Sequence, residues 1–145
     1  MIALEREGRI VCGVASAPAL GRRWWAAHGE GAFREGERIR VSRVERLSDA
    51  AVSCAHAKDL ARIEPLVWHA RGVGDFWQSA LVAEGALDAA VDARLERWDY
   101  APLLPLIEEA GGRITGIDGA PPRPRMQVVC SNGLVHDELL ALLAR

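Results

Sequence analysis

The chain has little cysteine: Cys12, Cys54 and Cys130 are odd in number and far apart. That excludes a disulfide framework, and the absence of any Cys-x-x-Cys pair argues against a zinc knuckle. No apolar run is long enough for a membrane span, and the residues after Met1 lack the apolar centre of a signal peptide. Basic excess is missing too. Lys and Arg number 18 against 20 Asp and Glu, a net charge of −2 with both signs mixed along the chain, so no nucleic-acid footprint is expected. Gly-x-Ser-x-Gly, the P-loop and the dinucleotide fingerprint are absent, and His28, His56, His69 and His136 show no metal-type spacing. These absences leave a protein expected in a reducing, cytoplasmic compartment, with neither nucleic acid nor membrane as partner.

What is present is one domain's worth of chain, 145 residues with half of them apolar. Residues 1–56 read mostly as strands: Ile2–Arg6, Ile10–Ala17, Arg23–His28, Gly31–Arg34, Ile39–Ser42 and Ala51–His56, separated by Gly-rich turns as in an antiparallel meander. In a strand, Trp24 and Trp25 face opposite ways, so one of them belongs to the core. Residues 57–145 alternate helix and strand. Asp59 reads as the cap of a helix running past Leu66 to Trp68, with Pro65 an imperfection in it. Helix Phe76–Glu84, strand Leu87–Val91, helix Asp99–Ala110, strands Arg113–Ile117 and Gln127–Cys130, and helix Val135–Ala144 follow, with His136–Asp137 read as capping chemistry. The pattern is a layered α/β or α+β domain with mixed sheets.

The chemistry-bearing stretch is ERWDYAPLLPLIEEAGG, Glu96 to Gly112. Asp99 stands at the mouth of an almost wholly apolar helix. By itself it is a good N-cap, since its oxygen accepts a first-turn N–H and its charge suits the positive helix end. The same position suits an acid that faces bound phosphate or a metal bridging to phosphate. Pro105, deeper in the helix, should kink it. In RGVGDFWQ, Gly72 and Gly74 free the backbone and Asp75 reads as the cap of the next helix, whose start offers N–H groups to hydroxyl or phosphate oxygens. Asp92, seven residues before Asp99, falls at a strand end, where an ordinary turn acid is the simpler reading.

In order, GVASAPALGRRWWAAHGEGAF, GVGDFW, LVAEGALDAAVD, WDYAPLLPLIEEAGGRIT and SNGLVHDELL resemble the inositol-monophosphatase-like phosphatases from about Ile2 onward, closest to their actinobacterial histidinol-phosphatase branch. The resemblance implies an αβαβα sandwich and Mg²⁺-dependent hydrolysis of a small phosphate monoester, histidinol phosphate or inositol phosphate, by an enzyme that is a homodimer when intact. It implies that Asp99 is a metal ligand. Backbone around Gly74, Asp75 and Phe76, together with the acid at Asp92, would contact the alcohol part of the substrate. An acid at 92 suits the charged amine of histidinol, whereas inositol needs only hydroxyl contacts.

The resemblance also carries a departure. The family's upstream Glu and its Asp-Pro-x-Asp-Gly-Thr loop, which hold the other metal ligands, do not occur in these 145 residues, and the first strand begins directly after Met1. The chain is therefore expected to be the C-terminal portion of a phosphatase, a single incomplete domain inactive by itself, with apolar sheet surface left open. An inositol-1-phosphatase or related sugar phosphatase is the alternative within the class. Outside it stands a non-catalytic binding or dimerising module that uses the Gly74–Phe76 and Trp24–Trp25 surfaces.

Overall fold

The computed structural model describes residues 1–144. Strands β1 (Ile2–Arg6), β2 (Arg9–Ala17), β3 (Arg22–Ala27), β4 (Gly31–Arg34) and β5 (Glu37–Ile39) form an antiparallel meander in chain order, as the turn spacing predicts. The last strand lies earlier than the expected Ile39–Ser42 and shares only Ile39 with it, because Arg38 and Glu37 pair with Phe33 and Arg34. Beyond Ile39 the backbone crosses to other partners: Val41 N–H donates to the Ala110 carbonyl at 3.1 Å, and the Ser42 hydroxyl donates to Asp88 at 2.5 Å.

The second sheet comprises β6 (Ala51–Cys54), β7 (His69–Arg71), β8 (Ala89–Leu95), β9 (Arg113–Gly116) and β10 (Met126–Ser131), in the order β7-β6-β8-β10-β9. β6 runs parallel to both neighbours and β10 antiparallel to both of its own, so the sheet is mixed. The helices are α1 (Ala57–Ile63), α2 (Asp75–Ala83), α3 (Arg97–Tyr100), α4 (Leu103–Glu109) and α5 (His136–Leu143).

α4 rests on β2, β3 and β4, while α2 packs against α4 and against β8 and β10. The two helices thus fill the space between the sheets, where Ala15, Trp24 and Ala32 meet Ala80, Leu103, Ile107, Ala90 and Val128. α1 and α5 cover the far face of the second sheet through Ile63, Val91, Val129 and Leu139. Neighbours in sequence go to opposite faces, Ala90 to one core and Val91 to the other, as the period of a strand requires.

Four layers result: sheet, helices, sheet, helices. The outer face of the first sheet is open, with Ile2 72 % and Leu4 60 % exposed. Trp25 and Phe33 stack there at 5.9 Å, while Trp24 is fully buried on the inner face, so the two indoles divide as expected.

Several local expectations change, each for a definite reason. α1 begins at Ala57 behind His56, with Asp59 inside its first turn. There Asp59 accepts from the Gln127 amide at 2.7 Å and pairs with His56 at 3.3 Å. α1 ends at Ile63 and passes into a 3-10 turn at Glu64–Leu66, because Pro65 cannot donate to the helix. Trp68 therefore lies outside any helix, and β7 takes up the next three residues.

The expected helix Asp99–Ala110 is two helices, α3 and α4, with Ala101 and Pro102 between them. Pro102 and Pro105 have no N–H for the carbonyls of Trp98 and Ala101, so one ladder cannot run through. Gly13 permits the junction to sit directly on β2, since a Cβ there would overlap the Pro102 carbonyl oxygen. At the other end of α4, Glu109 accepts the N–H groups of Gly29 at 2.8 Å and Gly31 at 2.9 Å. Those bonds hold its carboxyl below the usual range and tie the β3–β4 turn to the helix, while Glu108 is exposed.

His136 is not a cap. It is buried between the hydroxyls of Thr115 and Ser131, each 2.9 Å away, and capping falls to Asn132, whose Oδ1 accepts from the Leu134 and Val135 N–H groups.

Candidate active site around Asp99 and Asp92

Asp99 occupies the third position of α3, and Glu96 is the N-cap. The two residues form a reciprocal capping box in which Asp99 Oδ2 accepts the Glu96 N–H at 2.9 Å. Asp99 thus caps from inside the helix instead of preceding it. One of its oxygens is committed to the helix start, and Oδ1 remains for a ligand. The residue is half-buried, flanked by Trp98, 72 % exposed, and by buried Tyr100.

Asp92 does not end a strand. β8 continues to Leu95, because Gln127 and Met126 of β10 pair with Arg94 and Leu95. Asp92 therefore sits mid-strand, only 5 % exposed, with the Ser79 hydroxyl 3.5 Å from its Oδ2. Burial pushes its carboxyl up to about 7. Hydrogen bonds from Gln78 and Ser79 oppose the shift, and the negative charges of Asp75 and Asp99 add to it. Three acids from α2, β8 and α3 thus share one electrostatic neighbourhood. Such an array attracts a cation.

The glycine-rich stretch enters α2 through two consecutive left-handed residues, Gly74 at φ +72° and Asp75 at φ +56°. For Asp75 this costs roughly 1–2 kcal/mol. Gly74 is the N-cap. Asp75 begins the helix instead of capping it, and its Oδ1 accepts the neighbouring Phe76 N–H at 2.6 Å. The Phe76 ring turns inward and meets Trp24 edge-on at 6.2 Å, which leaves only its backbone available to a substrate.

Behind this loop lies a polar cluster that the sequence did not signal. Ser53, Gln78 and Ser79 are buried almost completely. In an amphipathic helix Gln78 and Ser79 read as solvent-facing residues, yet they point at β8.

The residues of this chain do not by themselves fit a magnesium site. Mg²⁺ takes about six oxygens in near-octahedral geometry. Among the described residues no group of three or more His, Cys, Asp or Glu side chains is arranged to hold a metal. Asp99 offers one oxygen, and Asp92 is buried beside its hydrogen-bond donors.

A family model described as "Inositol monophosphatase family" matches residues 1–145. A histidinol-phosphatase from Mycobacterium tuberculosis is 41% identical over 157 aligned positions, taking in 99% of this chain and 60% of that protein. One from Streptomyces coelicolor is likewise 41% identical, with 99% and 59% covered. The structure of an IMPase from Thermotoga maritima matches with a TM-score of 0.90 at 34% identity, over 98% of this chain and 59% of that one. The chain spans about 60% of the length of the relatives it matches.

Proposed function

The chain belongs to the inositol monophosphatase family, and we propose that it is part of a Mg²⁺-dependent phosphate monoester hydrolase that acts on L-histidinol phosphate. The observation behind this reading is the buried carboxyl of Asp92, which lies in the field of the negative charges of Asp75 and Asp99. An ammonium group against Asp92 would offset the burial that holds its proton and stabilise the carboxylate. Histidinol carries such a group, and the 41% identity to two histidinol-phosphatases favours the same substrate. Asp99 would offer its free oxygen to Mg²⁺. Mg²⁺ held by Asp99 would supply positive charge to the phosphate and make a coordinated water more acidic. Water, the substrate phosphate and further acids would complete its shell of about six oxygens. Gly74 and the backbone of Asp75 and Phe76 would meet the alcohol side of the substrate.

A second reading draws on the same carboxyl. Below about pH 7 Asp92 is protonated, and a neutral acid both donates to and accepts from hydroxyls, which suits inositol 1-phosphate.

The two readings separate in a graft that joins this chain to the part of the Thermotoga maritima IMPase it does not cover. Its donor portion comes from a relative named for inositol monophosphatase activity, so any turn toward histidinol phosphate comes from these 145 residues. Phosphate release from both substrates is to be compared. A higher kcat/KM on histidinol phosphate is expected, and a preference for inositol phosphate would defeat the histidinol assignment.

A further inference from the structure

Gln78 closes a hydrogen-bonding circuit around the loop that leads into α2. Its Oε1 accepts from the Ser53 hydroxyl at 2.6 Å and from the Gly74 N–H at 3.2 Å, which uses both of its lone-pair directions. Ser53 Oγ in turn accepts the Val73 N–H at 3.1 Å. The Gln78 amide nitrogen donates to the β8 backbone at the Val91 carbonyl, 3.4 Å away and one residue before Asp92. Gln78 and Ser53 are both 0 % exposed, and no buried side-chain polar atom among the described residues lacks a partner. A buried amide satisfied on both ends fixes its neighbours, because breaking either side strands a donor or acceptor away from water.

We propose that Gln78 is a positioning residue of the site, its amide oxygen clamping the Gly72–Gly74 loop to β6 and its amide nitrogen tying α2 to the β8 backbone at Val91, beside Asp92. The loop and the carboxylate, which come from different elements, are then set at one separation. This role rests on the reading that both contact the substrate.

The two ends of the amide can be tested apart in the 145-residue chain. In Gln78→Leu both ends are lost. Exchange of the Gly74 N–H with solvent should quicken up to about tenfold, the equivalent of one hydrogen bond. The Asp92 titration, followed by carboxyl-carbon NMR, should move to higher pH. In Gln78→Glu an oxygen remains for Gly74 and Ser53, but the donor toward β8 is gone and a like charge is added. There Gly74 exchange should stay as in the parent while the Asp92 midpoint rises. The other acids near Asp92 are Asp75 and Asp99, with the Cys54 and Cys130 thiols also within its field, and none is altered by either substitution.

A merely structural glutamine would lower the melting temperature in both variants without this division. Unchanged Gly74 exchange in Gln78→Leu overturns the proposal, as does an Asp92 midpoint that moves in neither variant. Should Gln78→Leu fail to fold, Ser53→Ala serves in its place: Val73 exchange should quicken while Gly74 stays protected, and loss of protection at both or at neither overturns it. Neither readout needs a substrate. A graft that releases no phosphate would therefore defeat the phosphatase reading alone.

Discussion

Asp92→Asn should stabilise the chain at pH 8 by on the order of 4 kcal/mol and leave it unchanged at pH 3. The carboxyl is an acid whose pKa in the folded chain is raised to about 7 from its ordinary 3.8. Below 3.8 it is protonated in both states and contributes no difference. Between 3.8 and 7 the unfolded chain releases the proton and the folded chain keeps it, so stability falls as pH rises. Above 7 the full penalty of a buried charge is present. Asparagine fills the same volume, keeps an oxygen for Ser79 and carries no charge.

His136 works in the opposite sense. Burial first, then the charge of Arg113, lowers its pKa to about 4 from 6.5, so its contribution is present above 6.5 and lost as pH falls through 4. In the parent chain the two slopes oppose each other between pH 4 and 6.5. Removing Asp92 leaves the His136 slope uncompensated, so the variant should lose stability on acidification where the parent is nearly flat. Thermal melts of both chains from pH 3 to 8 check this, and a difference that is constant with pH would contradict the assignment.

The 145-residue polypeptide alone should release no phosphate from histidinol phosphate in Mg²⁺, and the graft described above should. In the graft, Asp99→Asn is expected to lower kcat/KM by at least about 10²-fold, since even the outer partners of metal ligands are worth 10–100-fold. Asparagine keeps an oxygen for the Glu96 N–H, so the start of α3 survives and the loss reports on the other carboxyl oxygen. Circular dichroism of both grafts would verify that survival. Metal-dependent turnover by the 145 residues alone, abolished in Asp99→Asn, would sink the view that the chain lacks the other ligands.

The period-two signals were legible in the sequence. Trp24 and Trp25 divide between the two faces because adjacent strand residues must, and the meander follows from its glycine turns. Pro105 announced a discontinuity, and Pro102 completes the break between α3 and α4. Asp92 misled because VDARLER turns polar just where the buried part of β8 ends, and only pairing with β10 extends the strand. Ser53 and Gln78 were invisible for a related reason. A polar residue on a helix or in a strand faces water by default, and nothing local states that a loop with two inward N–H groups needs acceptors beneath it.

The open face of the first sheet has a consequence for chemistry from outside. Burial pushes the Cys130 thiol up to about 12, and that of Cys54 above its usual value, so both are poor nucleophiles on the two sides of the second sheet. Cys12 pairs with Leu4 across β1 and β2, lies part-exposed, and belongs to the open face. One thiol of three is thus within reach of an alkylating dye. Without any substitution, a fluorophore placed there would report whatever comes to cover that sheet.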